Sequence, residues 1–114
     1  MDLTKNNGLN LKSEASEFFL FECEKDLHKI LEHAEEIEKK RQVIGSGTNT
    51  IFPRHFSNIV IKSSNNNFKF SEEGNVAKLE VGAGVIWDDL IDFCCSKNLH
   101  GLENLAGIPG TVGA

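Results

Sequence analysis

This 114-residue chain lacks three things: excess positive charge, a long apolar run and cysteines at paired spacing. The net charge is −5, with acidic residues spread along the chain. A nucleic-acid binder needs a basic patch to displace counterions from phosphates, so that class is excluded. A bound dinucleotide is not, because backbone N–H groups hold a pyrophosphate without any lysine. The longest apolar blocks are four or five residues, against the roughly 20 of a membrane span. The opening "MDLTKNNGLNLKSEASEF" has no apolar stretch for a signal peptide. The expectation is a soluble, cytoplasmic chain with neither nucleic acid nor membrane as a partner.

Cysteine and histidine spacing excludes more. Cys23, Cys94 and Cys95 are odd in number, and the adjacent pair cannot make a C-x-x-C redox or zinc site. They read as reduced thiols packed as small hydrophobes. His28 and His33 do not share the i, i+4 face of a helical metal pair, so no metal is expected. Only two prolines and no low-complexity tract accompany 39% hydrophobic residues. That is a globular composition, with room for one ordinary domain.

What is present alternates between strand and helix patterns. "SEFFLFE" (Ser16 to Glu22) reads as a buried strand. A helix is expected from about Glu24 to Lys40, with Leu27, Ile30, Leu31, Ala34 and Ile37 as its apolar stripe. Glu24 and Asp26 open it and Lys39, Lys40 and Arg41 close it, matching the macrodipole. Val43-Ile44 is a second strand and "NIVIK" (Asn58 to Lys62) a third. Strand, helix and strand predict a βαβ unit whose first two strands pair in parallel with a right-handed crossover. Beyond the polar loop "SSNNN", a hairpin should turn at Glu73-Gly74-Asn75. A second helix is expected from about Ile86 to Lys97, with Trp87, Leu90, Ile91 and Cys94 on one face. A hairpin and one helix leave an unpaired sheet edge, so the expectation is a fragment truncated at its C-terminus.

Seven of the ten glycines fall in three clusters: Gly45/Gly47, Gly82/Gly84 and Gly107/Gly110/Gly113. "GSGTN" (Gly45 to Asn49) follows a strand, yet it lacks the third glycine of G-x-G-x-x-G and the Lys-Ser/Thr of a P-loop. By itself it is either a tight turn or an anion cradle, with Ser46, Thr48 and Asn49 adding donors. Gly82-Ala83-Gly84 is explained by the start of the second helix. "GIPGTVG" suits a flat ring lying against the backbone, because Pro109 is rigid and its flanking glycines allow close approach.

In this order and spacing, "GSGTN", "VGAGVIWDDL" and "GLENLAGIPGTVGA" resemble the FAD-binding region of the UDP-N-acetylenolpyruvoylglucosamine reductase family. "NNGLNLKSEASEFFLF" is similar to that family's opening segment, with one residue of it missing. The resemblance implies an α+β, two-lobed FAD-binding domain of the vanillyl-alcohol-oxidase (PCMH) type. Residues 1–62 would form the first lobe, a parallel βαβ unit. Residues 63–114 would begin the second, an incomplete antiparallel sheet with helices. By the same resemblance, Gly45, Ser46, Gly47, Thr48 and Asn49 lie against the FAD pyrophosphate. Gly107, Ile108, Pro109, Gly110, Thr111 and Gly113 line the flavin side, with non-covalent attachment.

The family reaction that the resemblance implies uses NADPH as hydride donor. It reduces a UDP-sugar enolpyruvyl ether to UDP-N-acetylmuramate for peptidoglycan. Its serine, arginine and glutamate would lie downstream, so no catalytic residue is assigned, and the chain alone is expected to be inactive. Glu103 reads as a loop cap, and Arg54 and His55 as solvated residues. Two other readings compete: an FAD-dependent oxidase of the same fold, and a non-enzymatic truncated module without FAD.

Overall fold

In a computed structural model of the chain, all residues from Met1 to Ala114 are described. The aromatic run forms β1 (Glu14–Phe21), followed by α1 (Glu24–Glu36), β2 (Arg41–Ile44) and β3 (His55–Ser63). Then come β4 (Phe68–Glu73), β5 (Val76–Val81) and α2 (Trp87–Ser96). Short 3-10 turns occupy Thr4–Asn6 and Glu103–Leu105. No helix is long and apolar enough to cross a membrane.

The first sheet is parallel throughout, in the order β1-β3-β2. The first two strands therefore do not pair directly, as the βαβ pattern suggested, because β3 lies between them. Burial explains the order. Ile59, Val60 and Ile61 are all 0% exposed, and only a central strand hides such a run on both faces. β2 is exposed apart from Ile44, which suits an edge. At the opposite edge the N-terminal arm runs antiparallel to β1, with the Leu3 N–H donating to the Ser13 carbonyl (2.8 Å).

Each face of this sheet carries its own apolar cluster. α1 lays Ile30 and Ala34 on Ile59 and Ile61, with Phe19, Phe21, Leu27 and Leu31 around them. On the other face Leu3, Ala15, Ile44, Phe52 and Val60 pack together, joined by Phe18 and Phe56. Phe52 belongs to the connection from β2 to β3, so that connection covers the face opposite α1. A register shift between Ala15 and Glu17 puts Ala15 and Phe18 on one face although they are three residues apart.

α1 stops about a turn before the sequence pattern suggested. Glu38 takes a φ of 53°, and the N–H groups of Glu38 and Lys39 donate to the carbonyls of Glu35 (3.1 Å) and Ala34 (3.0 Å). This is a Schellman ending with glutamate in the position glycine usually holds. Lys39 and Lys40 thus lie beyond the helix, and His33 is the base in its last turn.

β4 and β5 form a two-stranded antiparallel hairpin around Gly74-Asn75. α2 packs on it through Phe93, whose ring lies 4.5 Å from Phe68 and 5.6 Å from Phe70. Leu90, Ile91 and Cys94 are its buried residues, and burial pushes the Cys94 thiol up. Cys23 and Cys95 are exposed free thiols, so only Cys94 packs as a small hydrophobe. The molecule measures 50 × 31 × 14 Å, with a radius of gyration of 16.6 Å. A compact chain of this length would have roughly 13 Å. Sheet and hairpin lie side by side, and their loops meet.

Candidate functional site

β2 ends at Ile44, and the chain leaves the carboxyl edge of the parallel sheet as Gly45 to Asn49. Open α/β sheets bind ligands at that edge. The shape of this loop is set from behind. Gly47 has a φ of 73°, and a Cβ on it would run into the carbonyl oxygen of Asn6. The Gly8 N–H donates to the Gly47 carbonyl (2.8 Å), and a Cβ on Gly8 would lie 2.5 Å from the Thr48 carbonyl oxygen. Asn7, 3% exposed, holds this arm in place. Its Nδ2 donates to the carbonyls of Leu3 (3.0 Å), Thr4 (3.3 Å) and Leu11 (2.9 Å), and its Oδ1 accepts the Leu11 N–H (2.8 Å).

The facing wall comes from the last residues of the chain. Val112 donates its N–H to the Val85 carbonyl (2.9 Å) and Gly113 to that of Ala83 (3.1 Å), placing this segment beside the start of α2. The two walls touch at Gly45. A Cβ there would stand 2.6 Å from the Ala114 Cβ and 2.8 Å from the Thr111 Oγ1. Between them lies a cleft of about 420 Å³, lined by all five residues from Gly45 to Asn49 and by Ile108, Pro109, Gly110 and Thr111. Thr50, Trp87, Val112 and Ala114 complete it.

Two properties define what the cleft can bind. No ionisable side chain lines it. None of the backbone N–H groups from Gly45 to Asn49 donates to a carbonyl of the chain, nor do those of Ile108, Gly110 and Thr111. A run of unpaired donors beside a cavity is the arrangement that takes up an anion without a cation. Ile108, 52% exposed, and Pro109 add an apolar wall.

Other residues singled out from the sequence fall elsewhere. Gly107 and Gly113 do not line the cleft. Gly113 packs on Ala83, and the Gly107 N–H donates to the Asp88 Oδ1 (2.8 Å). Gly82 and Gly84 owe their lack of a side chain to close approach by Asn65 and Ser63. Arg54 and His55 are exposed and outside the cleft, as is Glu103. Glu103 accepts the Gly101 N–H (2.5 Å), a bond that lowers its carboxyl, with His100 Nδ1 3.6 Å away. Trp87 is a cleft residue that the sequence reading did not single out as one. Helical periodicity groups it with Leu90, Ile91 and Cys94; it is half-buried at the start of that face and forms part of the cleft wall.

The family described as FAD binding domain matches residues 15–114. The chain belongs to the FAD binding domain family. It is similar to a UDP-N-acetylenolpyruvoylglucosamine reductase of Bdellovibrio bacteriovorus, 33% identical over 114 residues, which covers 99% of this chain and 34% of that protein. The protein of the same name from Amoebophilus asiaticus is 34% identical over 121 residues, covering 100% of this chain and 36% of the relative. The one from Shewanella baltica is 43% identical over 72 residues, or 63% of this chain and 21% of the relative. The chain thus spans about a third of the length of the curated relatives it matches from end to end. For an FAD binding domain, the cleft fits its cofactor: free N–H donors suit a pyrophosphate, and the Ile108-Pro109 wall suits a ring.

Proposed function

We propose that this chain holds the FAD of an NADPH-dependent oxidoreductase. That enzyme would reduce UDP-N-acetylglucosamine enolpyruvate to UDP-N-acetylmuramate in cytoplasmic peptidoglycan synthesis. The observation that carries the reading is the cleft between "GSGTN" and "GIPGT", rich in unpaired donors and lined by no ionisable side chain, in a chain of the FAD binding domain family. The names of the curated relatives supply the substrate class. In this reading residues 1–62 and 63–114 are the two lobes of a vanillyl-alcohol-oxidase-type domain, and the cofactor lies between them.

When bound, the flavin supplies hydride transfer. The chain's own residues bind and orient it. The N–H groups of Gly45, Ser46, Gly47, Thr48 and Asn49 offset the charge of the pyrophosphate. Ile108, Pro109, Gly110 and Thr111 face the ring system, and Gly107 and Gly113 shape that wall from behind. No carboxylate, histidine or lysine lines the cleft, so its part is binding and not proton transfer.

Trp87 makes this testable, since it is the single tryptophan of a chain without tyrosine. Titration with FAD should quench its emission saturably, and riboflavin, which lacks the pyrophosphate, should bind at least tenfold more weakly, a loss of about 1.4 kcal/mol. An emission that FAD leaves unchanged, or equal affinity for the two, contradicts the reading.

A further inference from the structure

We infer that the first turn of α2 is a clamp that fixes the Leu105–Gly110 segment at the cleft, with Asp88 and Trp87 as positioning residues. The inference rests on the FAD reading above. Three hydrogen bonds build the clamp. The Asp88 Oδ1 accepts the Gly107 N–H (2.8 Å), the Trp87 indole Nε1–H donates to the Leu105 carbonyl (2.9 Å), and the Trp87 backbone N–H donates to the Gly110 carbonyl (3.1 Å). Two consecutive residues therefore grip the segment at its start, middle and end.

Beyond these and the turn bonds of the Leu105 and Ala106 N–H groups to the Leu102 (2.9 Å) and Glu103 (3.3 Å) carbonyls, no other backbone bond reaches residues 107–110. Gly107 and Gly110 sit at φ of 80° and 145°, where only glycine is at ease. No atom lies within 4 Å of the place a Cβ on Gly107 would take, and Gly110 has only the Ala114 Cβ, at 4.0 Å. The space beside these two glycines is open, so the hydrogen bonds to Trp87 and Asp88 are what hold them in place. Ile108, Pro109 and Gly110 belong to the cleft wall, and the clamp places them before a ligand arrives. A binding wall ordered in advance spares the ligand the entropy of ordering it.

A purely structural role for Asp88 is a different claim with a different outcome. A carboxylate in the first turn also stabilises a helix through the macrodipole. Asparagine separates the two roles, because it keeps an oxygen acceptor for Gly107 and loses the charge. The experiment compares wild type, Asp88→Ala, Asp88→Asn and Trp87→Phe. It reads amide hydrogen exchange at Gly107 in the free protein and FAD affinity by equilibrium dialysis. Asp88→Ala should speed Gly107 exchange and weaken FAD about tenfold, Asp88→Asn should restore both, and Trp87→Phe should weaken FAD while keeping a ring. Asp88→Asn behaving like Asp88→Ala would overturn the inference in favour of the charge. So would Asp88→Ala or Trp87→Phe binding FAD as wild type does. Should Asp88→Ala fail to fold, an Asp88→Asn protein that exchanges Gly107 faster or binds FAD about tenfold more weakly than wild type overturns the inference, as does a Trp87→Phe protein that binds FAD as wild type does. A wild-type protein that takes up no FAD overturns the FAD reading itself, and the inference with it.

Discussion

The carbonyl oxygen of Asn6 stands where a Cβ on Gly47 would have to go. The loop facing the cleft is therefore moulded on the N-terminal arm, and glycine is required at 47 before any ligand is considered. The left-handed φ of 73° adds to that requirement. Gly47→Ala should lower stability by roughly 2 kcal/mol or more, since αL strain of about 1–2 kcal/mol is joined by a clash with backbone. Gly107→Ala, with open space around it, should lose about 1–2 kcal/mol from its φ alone. Urea denaturation of the two variants checks the order, and equal losses would contradict it.

Flavin binding needs a probe that leaves this fit intact. Thr48 is exposed on the loop, and valine preserves its shape without the hydroxyl. Thr48→Val should change stability by less than about 0.5 kcal/mol and weaken FAD by about 1.5–3 kcal/mol, the value of a hydrogen bond to a charged group. Denaturation and FAD titration of the same sample measure both.

Asn7 is the buried anchor of the arm, and its amide makes four hydrogen bonds. Asn7→Ala leaves the Thr4 carbonyl and the Leu11 N–H without a partner, while the Leu3 and Leu11 carbonyls keep the Asn6 N–H and the Ser13 hydroxyl, and should cost about 1–3 kcal/mol. The Gly8 amide, bonded to the Gly47 carbonyl, should then exchange faster. Unchanged exchange at Gly8 would show that the arm is held by Leu3 packing instead.

The bond from Gly101 N–H, aided by the charge of His100, holds the Glu103 carboxyl below the ordinary glutamate value. A lowered folded pKa means that the pair stabilises the fold fully above the unfolded pKa. That contribution is lost as pH falls through the folded one. The Gly101 amide shift, followed by NMR from neutral to acid, should show a midpoint below that of a glutamate in an unstructured peptide. A midpoint at or above it would contradict the hydrogen bond.

The sequence made visible whatever depends on local pattern. The hairpin turn at Gly74-Asn75 and the buried face of Leu90, Ile91 and Cys94 follow from turn chemistry and periodicity. So do most of the strands and helices, to within a few residues. Strand order was not legible, because it depends on which strand most needs two covered faces, and that comparison is non-local. The early end of α1 was hidden by Glu38, a glutamate doing what glycine usually does. At the site, the two loop motifs were legible and do come together, but the reasons for their glycines were not. Gly45, Gly47 and Gly113 make room for Thr111 and Ala114, Asn6, and Ala83, and a glycine does not reveal its neighbour in the sequence. The place of Trp87 in the cleft was hidden for a related reason: a residue at a helix start can face a cleft as readily as a core.

Whether FAD occupies the cleft between the two loops is read amide by amide in an NMR titration of the isotope-labelled chain. With FAD in the cleft, the amides of Ser46, Gly47, Thr48, Asn49, Ile108, Gly110 and Thr111 should shift together along one saturable curve. The Trp87 indole N–H should move with them. Shifts confined to other surfaces, or no saturable shift at these amides, would contradict it.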